Sequence, residues 1–261
     1  MNIDKERKIS IVPLSFKSSK LEISSFLNQI DKFINSCELI IILEENDFGS
    51  LNLWEKELKK RSISKYILET LIDVKSKGAC LNLAIEKSSG IYIMRCDMDD
   101  KILENRYSDT IKIIEKYKPD FIYSDMYDLH NNKKIKYPQP IFSELFSTFM
   151  NPFPAPTVCF KKEFFLKNKI NYPKVNMCED LYLTFSFIDN NAYLFKLDNP
   201  VVKYNNNNKL NRNFLNWIYN FKIRINRNRY DFIGIISIIS GFIFLIIGFL
   251  GLIFFKLKKL F

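Results

Sequence analysis

The sequence predicts an α/β protein with a mainly parallel central sheet and helices on both faces. Three observations lead there: short apolar runs alternate with amphipathic stretches through the first 204 residues; acidic residues follow the second and fourth of those runs; and the spacing between runs leaves room for a crossover helix each time. Ile9–Leu14 reads as the first strand. Lys20–Ile34 follows as a helix with apolar Leu21, Ile23, Phe26, Leu27, Ile30, Phe33 and Ile34. Leu39–Leu43 is a fully apolar second strand ending in Glu44 and Glu45. A helix over Trp54–Lys60, a short strand Tyr66–Leu68 and a helix Ala79–Glu86 entered at Gly78 come next. Ile91–Met94 is a fourth strand, leading into Arg95-Cys96-Asp97-Met98-Asp99-Asp100. A helix Leu103–Tyr117 and a fifth strand Phe121–Met126 complete the βαβ wiring.

The middle of the chain changes character. Asn131 to Lys133 reads as a hairpin tip, and residues 137–156 hold five of the nine prolines, so regular structure is interrupted there save for a short helix near Phe142–Phe149. Thr157–Phe160 is a further strand, Cys178–Ile188 a helix opened by the acids Glu179 and Asp180, and Ala192–Leu197 with Val201–Tyr204 closes this part.

The chain has 261 residues and a net charge of +10. From Asn205 onward nine basic residues face the single acid Asp231, so the excess charge sits at the C-terminal end and the first 204 residues are nearly balanced. A nucleic-acid-binding body is therefore excluded. The five cysteines are scattered without a C-x-x-C pair, which indicates neither a disulfide framework nor a zinc site. Phe232–Phe255 carries no ionisable side chain and is longer than the roughly 20 residues a helix needs to cross a bilayer. It is expected to be a transmembrane helix, with Phe214–Tyr230 lying on an anionic membrane surface. Four segments result: residues 1–205 globular, 206–231 basic and aromatic, 232–255 membrane-spanning, and 256–261 a basic tail. Gly234, Ser237, Gly241, Gly248 and Gly251 gather on one face of that helix, the pattern of a contact with a second copy or a partner protein.

In open α/β sheets ligands bind beyond the carboxyl ends of the strands, where Glu44, Glu45, Asp97, Asp99 and Asp100 fall. Three carboxylates within four residues repel one another unless water or a cation separates them, and Mg²⁺ or Mn²⁺ would suit them with substrate phosphates completing the shell. Glu179 and Asp180 either complement a helix dipole or supply a general base; spacing leaves both open.

These blocks, taken in order, resemble the family 2 glycosyltransferases of GT-A fold: Ile11-Val12-Pro13; Leu39 to Asn46; Gly78, Asn82 and Ala84 before Gly90-Ile91-Tyr92-Ile93; Arg95 to Asp100; Pro154 to Lys162; Cys178 to Leu183; and Leu197 to Tyr204. The resemblance covers residues 8–205. It implies a membrane-anchored inverting enzyme of bacterial surface-polysaccharide synthesis that moves a sugar from a nucleotide-sugar donor to a sugar or lipid-linked acceptor. It implies donor contacts at Pro13, Leu14, Ser15, Glu44, Glu45, Lys77, Asn82, Asp97 and Met98, and a Mg²⁺ or Mn²⁺ site at Asp97, Asp99 and Asp100. Asp180 would be the base, with Glu179 beside it. Because nucleotide sugars are made in the cytosol, residues 1–230 are expected on the cytoplasmic face of the plasma membrane. Departures from the family pattern at Glu44, Ala155 and Asn205 keep a second reading open, a catalytically silent scaffold in a membrane glycosyltransferase complex.

Overall fold

The run Ile9–Leu14 becomes β1 because its alternate side chains can be buried on opposite faces of a sheet, and the two cores of the protein are divided in just that way. Ile9 and Ile11 enter one apolar cluster and Val12 the other; in β2 (Glu38–Leu43), Leu39, Ile41 and Leu43 face the first and Ile40 and Ile42 the second. The computed structural model describes residues 8–71, 76–173, 178–205, 214–227, 234–243 and 246.

On the first face, α1 (Lys20–Ile30) buries Ile23, Phe26, Leu27 and Ile30. Its start is fixed by a capping box: the Glu22 N–H donates to the Ser19 hydroxyl and the Ser19 N–H to the Glu22 carboxylate. Beside it α2 (Phe48–Lys60) buries Trp54, whose ring meets Phe26 edge-on at 6.1 Å. On the second face, α3 (Lys77–Lys87), α6 (Lys162–Lys167) and α7 (Glu179–Asp189) supply Leu81, Ile85, Phe165, Leu183 and Phe187. Each such fully buried large side chain contributes about 1.5–3 kcal/mol.

The main sheet has seven strands in the order β10-β6-β9-β4-β1-β2-β3, where β3 is Tyr66–Thr70, β4 Tyr92–Asp97, β6 Phe121–Ser124, β9 Cys159–Lys161 and β10 Leu194–Leu197. β4, β1, β2 and β3 run parallel, as do β6 and β10, but β9 lies antiparallel between β4 and β6. A second sheet, β5-β11-β7-β8, is built from β5 (Lys101–Ile102), β7 (Met126–Asp128), β8 (Lys134–Ile135) and β11 (Val202–Tyr204). The expected GT-A class, with one mainly parallel Rossmann-like sheet and a transmembrane helix, is thus corrected to a two-sheet α/β fold. The expected single strand Phe121–Met126 divides at Asp125, where the chain leaves the first sheet for the second. The buried Asp125 carboxylate holds that crossing, paired with Lys196 at 2.7 Å and Lys134 at 3.2 Å. Burial pushes its pKa up, but Lys196, the Tyr137 N–H and Lys134 outweigh burial and leave it lowered.

The C-terminal expectations are corrected as well. Among the described residues no helix is long and apolar enough to cross a membrane. Of the span expected over residues 232–255, the helical residues 234–243 turn a small polar face inward: Ser237 accepts from Arg224 Nη1 at 2.8 Å and the Ser240 hydroxyl donates to the Thr148 carbonyl. The small polar face of this stretch seats a buried guanidinium. The single-pass placement on the cytoplasmic face of the membrane rested on that span and falls with it. The glycine face is occupied within the chain, since a β-carbon on Gly241 would meet Arg224 Cδ at 2.7 Å and Phe221 Cδ2 at 3.3 Å. Gly248, Gly251 and the tail 256–261 lie outside the described residues. In α8 (Phe214–Asn226) Arg224 is buried rather than turned to a surface, and just beyond it Arg227 pairs with Asp189.

Candidate active site

Parallel pairing aligns the carboxyl ends of β1, β2 and β4 at one edge of the sheet, and Leu14 stands beside Asp97 in the β1–β4 register. Beyond that edge is a cleft of about 590 Å³. Of the residues implied for donor, metal and base, it gathers Leu14 and Ser15 at the end of β1, Glu44 after β2, Lys77 at the start of α3, Asp97, Met98 and Asp99 at the end of β4, and Glu179 and Asp180 at the start of α7. These residues come from five separate strand and helix ends.

Local interactions fix each wall. The Ser15 hydroxyl accepts from the Trp54 indole N–H at 3.0 Å and lies 2.8 Å from the Ser18 hydroxyl, so the loop after β1 is tied to the core. The Lys17 N–H donates to Asp47 at 2.8 Å, and Asp47 also caps α2. Lys77 reaches the cleft because α3 starts at Ser76, whose hydroxyl caps Ala79 N–H at 3.0 Å. Gly78 then packs so tightly that a β-carbon would sit 2.0 Å from the Pro173 carbonyl oxygen. Gly90 is as confined before β4, where a β-carbon would lie 2.5 Å from Ser10 N.

The acidic groups divide into two sets. Asp97 and Asp99 line the cleft, and burial together with the charge of Asp97 pushes the Asp99 carboxyl up. Asp100 turns away: it is buried, accepts from the Asn205 N–H at 2.7 Å, and borders a neighbouring concavity of about 540 Å³ with Lys101, Glu22 and Gln29. Burial and Asp97 push its carboxyl up to about 8. Among the described residues no three His, Cys, Asp or Glu side chains converge as a metal cage. Across the cleft, burial and Asp180 push Glu179 up to about 7.

Pro13 is a rung of the β1–β4 ladder opposite Cys96, and Glu45 sits in the turn after β2; neither lines the cleft. Asn82 is also outside it, its amide donating to the Tyr172 carbonyl and accepting from the Tyr172 N–H, both at 2.8 Å. Sequence reasoning passed over Arg95, which lines the cleft at 3% exposure and pairs with Asp97, Glu179 and Asp180. An arginine inside an otherwise apolar strand, two residues before an acidic cluster, was the available signal. Phe16, Cys80, Tyr204 and Asn205 also line the cleft. Burial, then Glu44, pushes the Cys80 thiol up to about 11, which makes it a neutral wall rather than a nucleophile.

No protein-family model matches the chain, and no curated protein does. Solved structures do. Residues 1–349 of TarS from S. aureus superpose with a TM-score of 0.68 at 17% identity, covering 90% of this chain and 71% of that one. The same fragment in complex with UDP-GlcNAc gives 0.67 at 16%, covering 93% and 71%. The mannosyltransferase PcManGT from Pyrobaculum calidifontis, in complex with GDP-Man and Mn2+, gives 0.62 at 12%, covering 92% and 69%. Identities this low establish likeness of fold. The resemblance to membrane-anchored family 2 enzymes of GT-A fold is corrected accordingly: what the chain shares with TarS and PcManGT is the arrangement of its backbone, with two sheets and with no membrane-spanning helix among the described residues.

Proposed function

We propose that the chain is a glycosyltransferase that moves a sugar from a nucleotide-sugar donor to an acceptor in surface-polysaccharide synthesis, with residues 1–205 as its catalytic part. The observation that carries this reading is the convergence in one cleft of Ser15, Glu44, Lys77, Asp97, Asp99 and Asp180 from separate strand and helix ends. The solved structures with UDP-GlcNAc and with GDP-Man and Mn2+ support it by likeness of fold.

Glu44 and Ser15 would bind the nucleoside part of the donor, and the Lys77 ammonium would attract its phosphates. Asp97 and Asp99 fit a Mg²⁺ or Mn²⁺ ion, since two carboxylates facing one cavity, one of them pushed up by burial and then by the other's charge, are relieved by a cation. With two protein carboxylates, donor phosphates and water would complete its shell, and bound there it would supply charge neutralisation for the departing diphosphate. Asp180 would accept the proton of the acceptor hydroxyl as its oxygen bonds the anomeric carbon and the bond from that carbon to the diphosphate oxygen breaks, which inverts the centre. A nucleoside diphosphate leaves.

A lipid-linked acceptor is favoured by the surface beside α7. The segment with α5 (Ser143–Ser147) exposes Ile141, Phe142, Leu145, Phe149 and Met150, and the neighbouring helical residues 234–243 expose Ile235, Ile239, Phe242 and Ile243. An apolar area of this extent suits the tail of a lipid-linked acceptor.

The test is release of nucleoside diphosphate by the full chain from a panel of UDP- and GDP-sugars, with and without Mn²⁺ and with lipid-linked acceptors. Turnover of one donor is expected. A folded protein inert toward all of them would favour the silent scaffold.

A further inference from the structure

Arg95 bridges the two sides of the proposed reaction within the cleft. Its Nε donates to Asp97 Oδ1 at 3.3 Å, its Nη1 to Asp180 Oδ1, and its Nη2 lies 3.8 Å from Glu179 Oε1. Asp97 stands at the end of β4, and Glu179 and Asp180 open α7, more than 80 residues later. Among the described residues no backbone hydrogen bond joins β4 to α7, and the Arg95 guanidinium bridges their charged ends.

The arginine is itself held rigidly. Its backbone N–H donates to the Val158 carbonyl at 3.2 Å, and its carbonyl accepts from Arg106 Nη2 at 2.6 Å. Arg106, equally buried, also donates to the Pro156 carbonyl at 2.5 Å, so one guanidinium ties β4 to the segment before β9 and the second reaches from β4 to α7. The planar fork of an arginine can serve three carboxylates in different directions, whereas a lysine ammonium is a point charge on a flexible stem.

We propose that Arg95 is a positioning residue that holds Asp180 Oδ1, so that Oδ2 is presented to the acceptor hydroxyl at a fixed distance from Asp97 and the donor diphosphate. The inference rests on the glycosyltransferase reading above. It assigns Arg95 no contact with either substrate: its effect passes through Asp180. A general base displaced by 1 Å loses about 100-fold in rate, which is the scale at which such a residue acts.

The test uses the full chain and the donor identified by the nucleotide-sugar panel. Arg95→Lys keeps one positive charge among the three carboxylates and so limits repulsion between them; Arg95→Met combined with Glu179→Gln removes one charge of each sign as a second route to a folded protein. In both, kcat for transfer is expected to fall by about 100-fold while the dissociation constant of the nucleoside diphosphate stays at the wild-type value. Arg95→Lys combined with Asp180→Asn should be no slower than Asp180→Asn alone, because a positioning residue has nothing left to position. Unchanged kcat in both folded variants would overturn the proposal, and so would a double variant in which the two losses multiply or a loss of nucleotide affinity equal to the loss of rate. An inactive wild-type chain would instead remove the reading on which the proposal rests.

Discussion

Arg224 Cδ lies where a β-carbon on Gly241 would come within 2.7 Å of it, so the close approach of α8 to the helical residues 234–243 depends on a glycine at that position. The arginine is buried with its Nη1 on the carbonyls of Ser147 and Thr148 and on the Ser237 hydroxyl. No carboxylate is among these partners, and burial followed by the charge of Arg227 lowers its pKa to about 10. Gly241→Leu is expected to force the two helices apart. Proteolysis within residues 234–243 should then accelerate while donor binding is unchanged, and equal protease resistance in mutant and wild type would show that this packing is dispensable.

Asn82→Ala separates packing from ligand binding. The family resemblance implies donor contact for Asn82, whereas its amide spans the Tyr172 backbone with two hydrogen bonds and holds that segment beside α3. Loss of both leaves a buried donor and acceptor without partners, a cost of about 2 kcal/mol. The midpoint of urea denaturation should fall accordingly with nucleotide affinity intact. A weakened affinity at unchanged stability would return Asn82 to the donor site.

That contrast shows what the sequence made legible. Acidic residues after β2 and β4 could be placed at the mouth of a sheet because strand ends and crossovers follow from apolar runs. Asn82 could not be assigned, because its partner lies 90 residues away and local spacing carries no trace of it. The second sheet escaped for a related reason: β5 and β8 have two residues each, too short for any period, and β7 appeared as a continuation of β6 until Asp125 turned the chain. By composition the apolar run after Asp231 reads as a span, and composition carries no trace of Ser237 and Gly241 facing Arg224 or of Ser240 donating to the Thr148 carbonyl.

Glu179 gives a pH signature. Its folded-state carboxyl is raised from the ordinary glutamate value of 4.5 to about 7, first by burial and then by Asp180. Between these values the folded chain binds more protons than the unfolded one, so this group's contribution to stability is complete below about pH 4.5 and is lost as pH rises through 7. Glu179→Gln should remove that dependence, and the difference in Tm between wild type and variant should change steadily from pH 5 to pH 8. A constant difference across that range would place the Glu179 titration elsewhere.

Asp180→Asn should leave nucleotide affinity intact and reduce transfer by about 100-fold or more, since the amide cannot accept the acceptor proton. Loss of nucleotide binding in this variant would make the start of α7 a structural element of the donor cleft.

The cleft between β1, β2, β4 and α7 is expected to hold a nucleoside diphosphate with a divalent cation at Asp97 and Asp99. Calorimetric titration of the full chain with UDP and with GDP, each with and without Mn²⁺, measures this directly, with Asp99→Asn as the paired variant. One nucleotide should bind at a 1:1 ratio, more tightly with Mn²⁺, and Asp99→Asn should abolish the gain from the metal while Tm is preserved. Absence of binding by either nucleotide, or a metal effect untouched in Asp99→Asn, would contradict the account.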